Sequence, residues 1–226
     1  MLTNEMSEIL AAGRRDGWIN EPESKRLLSL AGLPVPRFRW CRTAAEAVNF
    51  IQEIGPPVVA KVVSPAIVHE SDAGGVTVGI RDGDEMAEVY RRYESMQRFE
   101  GALVEETVSG IELILGAKND PQFGPVVLLG IGGTGVEIYG DTTLRMAPIT
   151  KLDARSMIER LKGNKLLKGY RGARPVDTEV LTDMMVRFSE LVVALETHFE
   201  SVDLNPVKCN GDRCLIADAR IMLAQD

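Results

Sequence analysis

The sequence has no excess of positive charge. Its 226 residues include 26 Lys and Arg against 33 Asp and Glu, so the formal net charge is -7. No block of Lys and Arg is longer than two residues. Proteins that bind nucleic acids through the phosphate backbone present a basic patch or stripe. The acidic balance therefore argues against a nucleic-acid partner.

Long hydrophobic segments are missing as well. A helix that spans a bilayer needs about 20 consecutive apolar residues, and no run in this chain approaches that length. The first 20 residues lack the apolar centre and basic flank of a signal peptide. The sequence therefore predicts a cytoplasmic protein with no membrane partner.

Cysteine is scarce, with Cys41, Cys209 and Cys214 as the three examples. An odd number without a paired C-x-x-C string does not form a disulfide framework or a typical zinc site. We therefore expect reduced thiols. Cys209 and Cys214 flank an Asn210-Gly211 turn and could face each other, but their spacing favours neither a metal nor a redox role.

The chain is long enough for one elongated domain or for two lobes of about 100 residues each. Capping signals and apolar periodicity predict helices over residues 5–15, 20–31, 43–54, 83–100, 150–161 and 178–199. Short β-branched runs predict strands over residues 37–41, 58–63, 76–80, 102–107, 111–117, 126–129, 202–207 and 215–220. The segment 163–172 is expected to be irregular. This order indicates an α/β fold of the mixed α+β type.

The stretch 58–76 is the centre of the functional interpretation. Lys61 lies inside a strand that is expected to be buried on both faces, where an unpaired ammonium would be costly. A flexible turn at residues 72–75 follows and leads into a second strand. Glycines let backbone N–H groups approach a ligand closely, so such a loop beside a lysine is a common phosphate site. The alternative is an ordinary α/β core with a half-exposed lysine.

Two other features allow more than one interpretation. Glu105 and Glu106 end a predicted strand, where acidic residues either discourage sheet aggregation at a solvated edge or accept hydrogen bonds from adenine or ribose at a hinge. The glycine string at residues 130–135 is only superficially similar to a dinucleotide fingerprint, because no helix-forming segment follows it at once. We interpret that string as a flexible loop.

The most specific polar spacing is near the C-terminus. Residues 202–207 and 215–220 predict two antiparallel strands joined through the Asn210-Gly211 turn. Asn205 and Asp218 would then lie opposite each other, each interrupting an apolar strand. A buried carboxylate beside an amide suits a hard divalent cation such as Mg²⁺. A hydrogen-bonded pair without a metal is the alternative.

Six ordered motifs extend over nearly the whole chain. They are EPESKRLLSLAGLPVP, VVAKVVSPAIVHESDAGGV, NDPQFGPVVLLGIGG, GYRG, DLNPV and DARI. In this order they resemble the nucleotide-binding β subunit of ADP-forming acyl-CoA synthetases, which are relatives of succinyl-CoA synthetase. The resemblance implies an ATP-grasp fold with two lobes, residues 1–100 and 101–226, and the nucleotide bound between them.

The resemblance also implies a reaction, acyl-CoA + ADP + phosphate ⇌ carboxylic acid + CoA + ATP. This reaction passes through an acyl phosphate and a phosphohistidine on a mobile segment of a partner subunit. Lys61 corresponds to the lysine that contacts the phosphates of ATP or ADP, and Asn205 and Asp218 correspond to Mg²⁺ ligands. Glu105 or Glu106 corresponds to the acidic hinge residue. The loop that covers the phosphates comprises Ser71, Asp72, Ala73, Gly74 and Gly75, and leads into Val76.

His69 corresponds to a histidine in the family's H-K-S-D string, which is proposed in some members as a second phosphoryl carrier. Glu70 replaces the usual lysine of that string, and this change removes a positive charge beside the transfer site. A hydrogen-bonding role at the edge of the loop is the alternative for His69.

The CoA-binding half of the reaction has no counterpart in this sequence. His198 is expected near the end of an apolar helix, where the helix dipole favours a histidine. We therefore expect a CoA-binding α subunit with a phosphorylatable histidine, in an αβ or α2β2 assembly. A non-catalytic ATP-grasp sensor or scaffold, as fused to protein acetyltransferases, and a carboxylate-amine ligase are the alternatives. Lys61, Asn205, Asp218 and His69 together favour catalysis, while the acyl group, the direction and the choice of ADP or GDP stay undetermined.

Overall fold

The structure is a computed structural model that describes residues 2–67, 73–133, 140–169 and 174–225. The chain forms two compact units. Unit 1 comprises Met1–Ile19, Glu23–Val35 and Ser109–Asp226, and unit 2 comprises Asn20–Pro22 and Pro36–Val108. The predicted division into an N-terminal lobe of residues 1–100 and a C-terminal lobe of residues 101–226 stays a prediction.

The helices and strands follow the mixed order that the sequence predicts. The helices are α1 (Asn4–Gly13), α2 (Glu21–Leu30), α3 (Ala44–Ile54), α4 (Gly83–Glu94), α5 (Lys151–Arg160), α6 (Asn164–Leu167) and α7 (Thr178–Ala194). The strands are β1 (Trp18–Ile19), β2 (Phe38–Cys41), β3 (Val58–Val62), β4 (Val76–Ile80), β5 (Ala102–Glu106), β6 (Ile111–Asp120), β7 (Gly124–Ile131), β8 (Thr142–Met146), β9 (Phe199–Asn210), β10 (Arg213–Ile216) and β11 (Arg220–Leu223). Among the described residues, no helix combines the length and the apolar character that crossing a membrane would need.

Unit 2 contains a four-stranded antiparallel sheet in the order β2-β5-β3-β4. Side chains alternate between the two faces of a strand. Ala60 and Val62 of β3 therefore point to one face, where they join a buried cluster with Phe50 of α3 and Tyr90 of α4. Lys61 points to the opposite face. The sheet thus separates the hydrophobic core of unit 2 from the side that carries the lysine.

Unit 1 contains a seven-stranded sheet in the order β1-β11-β9-β6-β7-β8, with β10 paired to β9. The short β1 near the N-terminus pairs antiparallel with β11 near the C-terminus. Helix α7 buries Leu181, Met185 and Phe188 in the core cluster that this sheet shares with α1, α2 and α5. The two ends of the chain therefore meet in one sheet of unit 1.

Several sequence predictions about these elements need correction. The helix predicted over residues 83–100 ends at Glu94, and the strand predicted over residues 215–220 is interrupted, since β10 ends at Ile216 and β11 begins at Arg220. Helix α7 ends at Ala194 rather than at residue 199, because Phe199 is fully buried as the first residue of β9. Strand β8 was not predicted, because its exposed and half-buried residues give no apolar alternation. The short α6 lies inside the segment that was expected to be irregular. An apolar run by itself does not distinguish a helix end from a buried strand.

The expectation of reduced thiols is wrong for one pair. Cys209 of β9 and Cys214 of β10 are directly opposite in the antiparallel register and form a disulfide, with Cα atoms 4.1 Å apart. The hairpin turn sets this register, and Gly211 adopts a positive φ of 59° within it. Cys41 is a free thiol and is buried.

Candidate functional site

The ammonium of Lys61 is the most constrained charge in unit 2. Its Nζ lies 2.6 Å from Oε1 of Glu21 and 3.3 Å from Oε1 of Glu105. The three side chains are 8%, 5% and 4% exposed, respectively. Burial of an ion is costly unless the ion is paired and hydrogen-bonded. The buried lysine therefore has its anions within the protein itself, and the two carboxylates fix the position of its ammonium.

Glu21 is a residue of this site that the sequence interpretation missed. It is the first residue of α2, where the positive end of the helix dipole favours a carboxylate. In the sequence, its place at the start of the predicted helix over residues 20–31 indicates only a helix start. Because Glu21 and Lys61 are 40 positions apart, no local spacing pattern connects them. The only available signal was that a buried lysine requires an anion from somewhere in the chain.

Glu105 and Glu106 point to opposite faces of β5 and have different partners. Glu105 is 3% exposed and lies on the Lys61 face. Glu106 accepts a hydrogen bond from the backbone N–H of Arg37 at 3.1 Å and another from its Nε at 3.4 Å. Since β5 lies between β2 and β3, the interpretation of this pair as a solvated sheet edge is wrong. A nucleotide contact by either residue stays a prediction.

The turn that follows Lys61 in sequence returns to the side of the same strand. The carbonyl oxygen of Gly75 accepts a hydrogen bond from the backbone N–H of Val62 at 2.8 Å, and Val76 is the register partner of Lys61. Gly74 has a φ of 69°, a conformation that glycine adopts without a steric penalty. Ala73 and Gly74 are exposed. The predicted site residues His69, Ser71 and Asp72 lie outside the described residues.

Apolar side chains surround Lys61 and Glu105 on their face of the sheet. Val59 is the cross-strand partner of Glu105, and Val78 is in turn the partner of Val59. Val78 is 72% exposed, which is unusual for valine. The set that strand alternation places on this face is Phe38, Trp40, Val59, Val76, Val78 and Leu103. A buried charge cluster beside such a surface has the composition of a ligand site, with few polar groups in a mainly apolar lining.

In unit 1, Asp218 lies in the three-residue segment between β10 and β11. Val207 pairs with Ile216 before this segment and Asp203 pairs with Arg220 after it, so the segment runs beside residues 204–206 of β9, which include Asn205. Asn205 is exposed and Asp218 is half-buried. The expectation of a buried carboxylate is therefore wrong, because Asp218 is partly accessible to solvent.

A β-bulge interrupts β9 at this position. Leu113 of β6 pairs with Val207 and Leu115 pairs with Leu204, so three steps along β9 correspond to two along β6. The extra residue falls at Asn205-Pro206, where the peptide bond is cis. Bulges change the direction of side chains and are common next to active sites. The alternation of buried and more exposed residues along β9 continues through Asn205 and changes phase after it, where the partly buried Pro206 precedes the buried Val207.

Lys25 fixes the backbone next to Asp218. It is fully buried, and its Nζ donates a hydrogen bond to the carbonyl oxygen of Ala217 at 3.0 Å. The backbone N–H of Ala217 donates to the carbonyl oxygen of Pro206, also at 3.0 Å. Two hydrogen bonds within unit 1 therefore fix Ala217, the residue directly before Asp218.

The donor chemistry of Asn205 and Asp218 fits magnesium. Mg²⁺ prefers oxygen ligands and is usually held by one or two carboxylates together with water and substrate phosphates. Across residues 2–67, 73–133, 140–169 and 174–225, no cluster of three or more His, Cys, Asp or Glu side chains could hold a metal. An amide and one carboxylate therefore suit an ion that is shared with a phosphate ligand better than an ion enclosed by protein alone.

Comparison with known proteins identifies the family. A family model for the ATP-grasp domain matches residues 9–223. The β subunit of the ADP-forming acetate–CoA ligase I of Pyrococcus furiosus is 43% identical over 211 residues, which cover 90% of each chain. Among solved structures, ACD1 of Candidatus Korarchaeum cryptofilum in complex with coenzyme A has a TM-score of 0.91 and 41% identity, and the match covers 97% of this chain and 100% of that chain.

A second structure from the same organism adds a nucleotide. It is an acetyl-coenzyme A synthetase with coenzyme A and Mg-AMPPCP, whose phosphohistidine segment points towards the nucleotide-binding site. It has a TM-score of 0.86 and 40% identity, and the match covers 97% of this chain and 100% of that chain. The match extends over almost all of the chain in each comparison, so the protein belongs to the ATP-grasp family, as a β subunit of the ADP-forming acyl-CoA synthetase type.

Proposed function

We propose that this chain binds ADP or ATP with magnesium and exchanges a phosphoryl group with a phosphohistidine of a CoA-binding α subunit. The net reaction is acyl-CoA + ADP + phosphate ⇌ carboxylic acid + CoA + ATP. The sequence identity of 43% to the Pyrococcus β subunit, in an alignment that covers 90% of both chains, supports this proposal most directly. The phosphohistidine segment of the Korarchaeum enzyme, which points towards a nucleotide site, supports the transfer step.

In this proposal, Lys61 holds nucleotide phosphates and the loop at residues 71–75 covers them. The short contact from Glu21 keeps the ammonium charged and in place inside an otherwise apolar environment. Either Glu105 or Glu106 accepts hydrogen bonds from the adenine or the ribose. The apolar side chains beside Lys61 would then contact the flat faces of the base, which excludes water from the phosphates.

Asn205 and Asp218 would hold the magnesium ion. When bound, magnesium would neutralise part of the negative charge that moves with the phosphoryl group. The bulge at Asn205 and the hydrogen bond from Lys25 to the carbonyl oxygen of Ala217 fix the backbone that carries the two oxygen donors. A preorganised pair of this kind lowers the cost of ordering the site when the nucleotide binds.

His69 is the proposed intermediate carrier. The phosphorus–nitrogen bond of the partner's phosphohistidine breaks as a ring nitrogen of His69 takes the phosphoryl group, and a terminal oxygen of ADP then takes it from His69. A neutral imidazole is a competent nucleophile near pH 7. Direct transfer from the partner to ADP is the alternative path, and it leaves His69 as a hydrogen-bonding residue of the loop.

The decisive experiment separates nucleotide binding from acyl-CoA chemistry. We expect the chain alone to bind ADP in the presence of magnesium by titration calorimetry. We also expect it to form acyl-CoA only after addition of a CoA-binding α subunit. Turnover by the chain alone would overturn the two-subunit proposal. Absence of nucleotide binding would favour the sensor or scaffold alternative.

A further inference from the structure

The carboxylates around Lys61 contribute to the electrostatic potential at the place where a phosphate ligand would bind. Glu21 and Glu105 lie 2.6 Å and 3.3 Å from the ammonium, and their side chains are almost fully buried. Buried charges are screened by salt much less than exposed ones. Any phosphate that Lys61 holds therefore lies within the field of two carboxylates as well as that of the ammonium.

We propose that Glu21 and Glu105 make Lys61 discriminate against metal-free nucleotide in favour of the magnesium complex. This inference rests on the proposed nucleotide site and adds Glu21 to it as a specificity-determining residue. Magnesium cancels part of the negative charge of the diphosphate, so the two carboxylates repel free ADP more strongly than they repel its magnesium complex. The preference for the complex is thus set partly by residues that touch neither the metal nor the phosphate.

The size of the effect follows from the distances. A carboxylate in contact with the ammonium is only a few ångströms further from a phosphate bound to that ammonium. With an effective dielectric constant of about 20, each unit of ligand charge at such a range changes a binding constant by about tenfold or more. Glu21 is nearer to Nζ than Glu105 is, so Glu21 should account for the larger part.

Glu21→Gln removes the charge and keeps a side chain of the same shape with an oxygen acceptor. Glu23→Gln is the matched control, since it makes the same change of charge two residues away on the same helix. The Glu23 side chain is 27% exposed and its carboxylate pairs with Arg26 at 3.5 Å. Glu21→Asp is the conservative variant, because it retains the charge while shortening the side chain.

The measurement is the Kd of ADP by titration calorimetry at constant ionic strength, once with excess chelator and once with saturating magnesium. The quantity compared is the Kd with chelator divided by the Kd with magnesium. Contacts that do not depend on the metal affect both values equally and cancel in this ratio. We expect Glu21→Gln to lower this ratio about tenfold, through tighter binding of free ADP. The ratio should stay within about threefold of the wild-type value in Glu21→Asp and Glu23→Gln.

The outcomes distinguish this inference from the proposed function. If the wild-type chain binds no ADP with magnesium, the nucleotide site itself is refuted. If the wild type binds and Glu21→Gln leaves the ratio unchanged, the discrimination proposal alone is overturned. An equal decrease in Glu23→Gln would also overturn it, because the effect would then reflect overall charge. Should Glu21→Gln fail to fold, Glu105→Gln carries the same test, and an unchanged ratio there has the same meaning.

Discussion

At the scale of single residues, Lys61 has a structural role as well as a proposed binding role. Its ammonium is shared by Glu21 and Glu105 in a buried setting. Removal of one partner from a buried ion pair typically costs about 3–5 kcal/mol. A neutral residue at position 61 would therefore lower the stability of unit 2 as well as the affinity for phosphate. Thermal unfolding without nucleotide, compared with titration of ADP, separates these two effects.

The cysteines allow a second prediction at this scale. Burial raises the pKa of the Cys41 thiol to about 12, and the Glu46 carboxylate adds to the shift. Since only the thiolate reacts, we expect no alkylation of Cys41 in the folded chain at pH 8. After unfolding without a reductant, one thiol should react, and after unfolding with a reductant, all three.

Thiol counting with a chromogenic disulfide reagent, followed by mass spectrometry of the alkylated peptides, checks this prediction. Three reactive thiols after unfolding without a reductant would show that Cys209 and Cys214 are not bonded to each other. Rapid reaction of Cys41 in the folded chain would contradict its burial. The folded chain at pH 8 with the reagent omitted serves as the control for spontaneous oxidation.

Residues with local signals could be predicted from the sequence, and those with distant partners could not. The lysine inside a β-branched run correctly indicated a buried cation that requires an anion. The identity of that anion depended on folding, because Glu21 reaches Lys61 from a helix 40 positions earlier. In the same way, the Asn210-Gly211 turn predicted the hairpin, but not that Cys209 and Cys214 would be register partners.

At the scale of elements, capping chemistry determined which helices were predictable. Thr150 and Asp153 form a reciprocal capping box at the start of α5. At α3, the Thr43 side chain accepts from the N–H of Glu46, while the Glu46 carboxylate accepts from the N–H of Arg42 rather than that of Thr43. Both starts were predicted within one residue. Strand β8 has no such signal, and its pairing with β7 is a tertiary contact.

The hairpin that carries Asn205 and Asp218 leads to a prediction about the metal. Asp218→Asn replaces the only carboxylate of this pair with a neutral amide, so we expect it to weaken magnesium-dependent binding of ADP about tenfold or more. Asp203→Asn is the matched control, because Asp203 lies on the same strand and pairs with Arg220 at 3.3 Å. That control should change the affinity less than about threefold.

Calorimetric titration of ADP over a series of magnesium concentrations checks this prediction. Thermal unfolding of both variants without nucleotide controls for stability. If Asp218→Asn changes only the melting temperature and keeps the magnesium dependence of the wild type, Asn205 and Asp218 are a structural pair. A large loss of affinity in Asp203→Asn would move the proposed metal site along β9.

At the scale of the whole molecule, neither unit is one continuous stretch of the sequence. Unit 2 occupies residues 36–108 and the short Asn20–Pro22 segment, while unit 1 is built from sequence on both sides of it. Strands β1 and β11 come from opposite ends of the chain and are neighbours in one sheet. Such pairing is set by long-range packing, so periodicity predicts the strands but not their neighbours.

This organisation determines which fragments of the chain can fold. A fragment with residues 101–226, the second predicted lobe, lacks α1, β1 and α2. It also begins with β5, whose strand partners β2 and β3 are both in the other fragment. The large apolar side chains that it loses from the core of unit 1 include Met6, Ile9, Leu10, Leu27 and Leu28, each 5% exposed or less.

We therefore predict that the fragment 101–226 does not fold cooperatively on its own. Burial of five such side chains contributes about 8–15 kcal/mol, which is as large as the whole stability of a typical domain, about 5–15 kcal/mol. Joining residues 1–35 to residues 109–226 through a flexible linker should restore a cooperative urea transition, measured by circular dichroism. The same fusion with Leu27→Ser and Leu28→Ser is the control and should lose the transition. Cooperative unfolding of 101–226 alone, with the stability of the full chain, would instead support the division at residue 100, because the N-terminal helices would then be dispensable for the fold of that lobe.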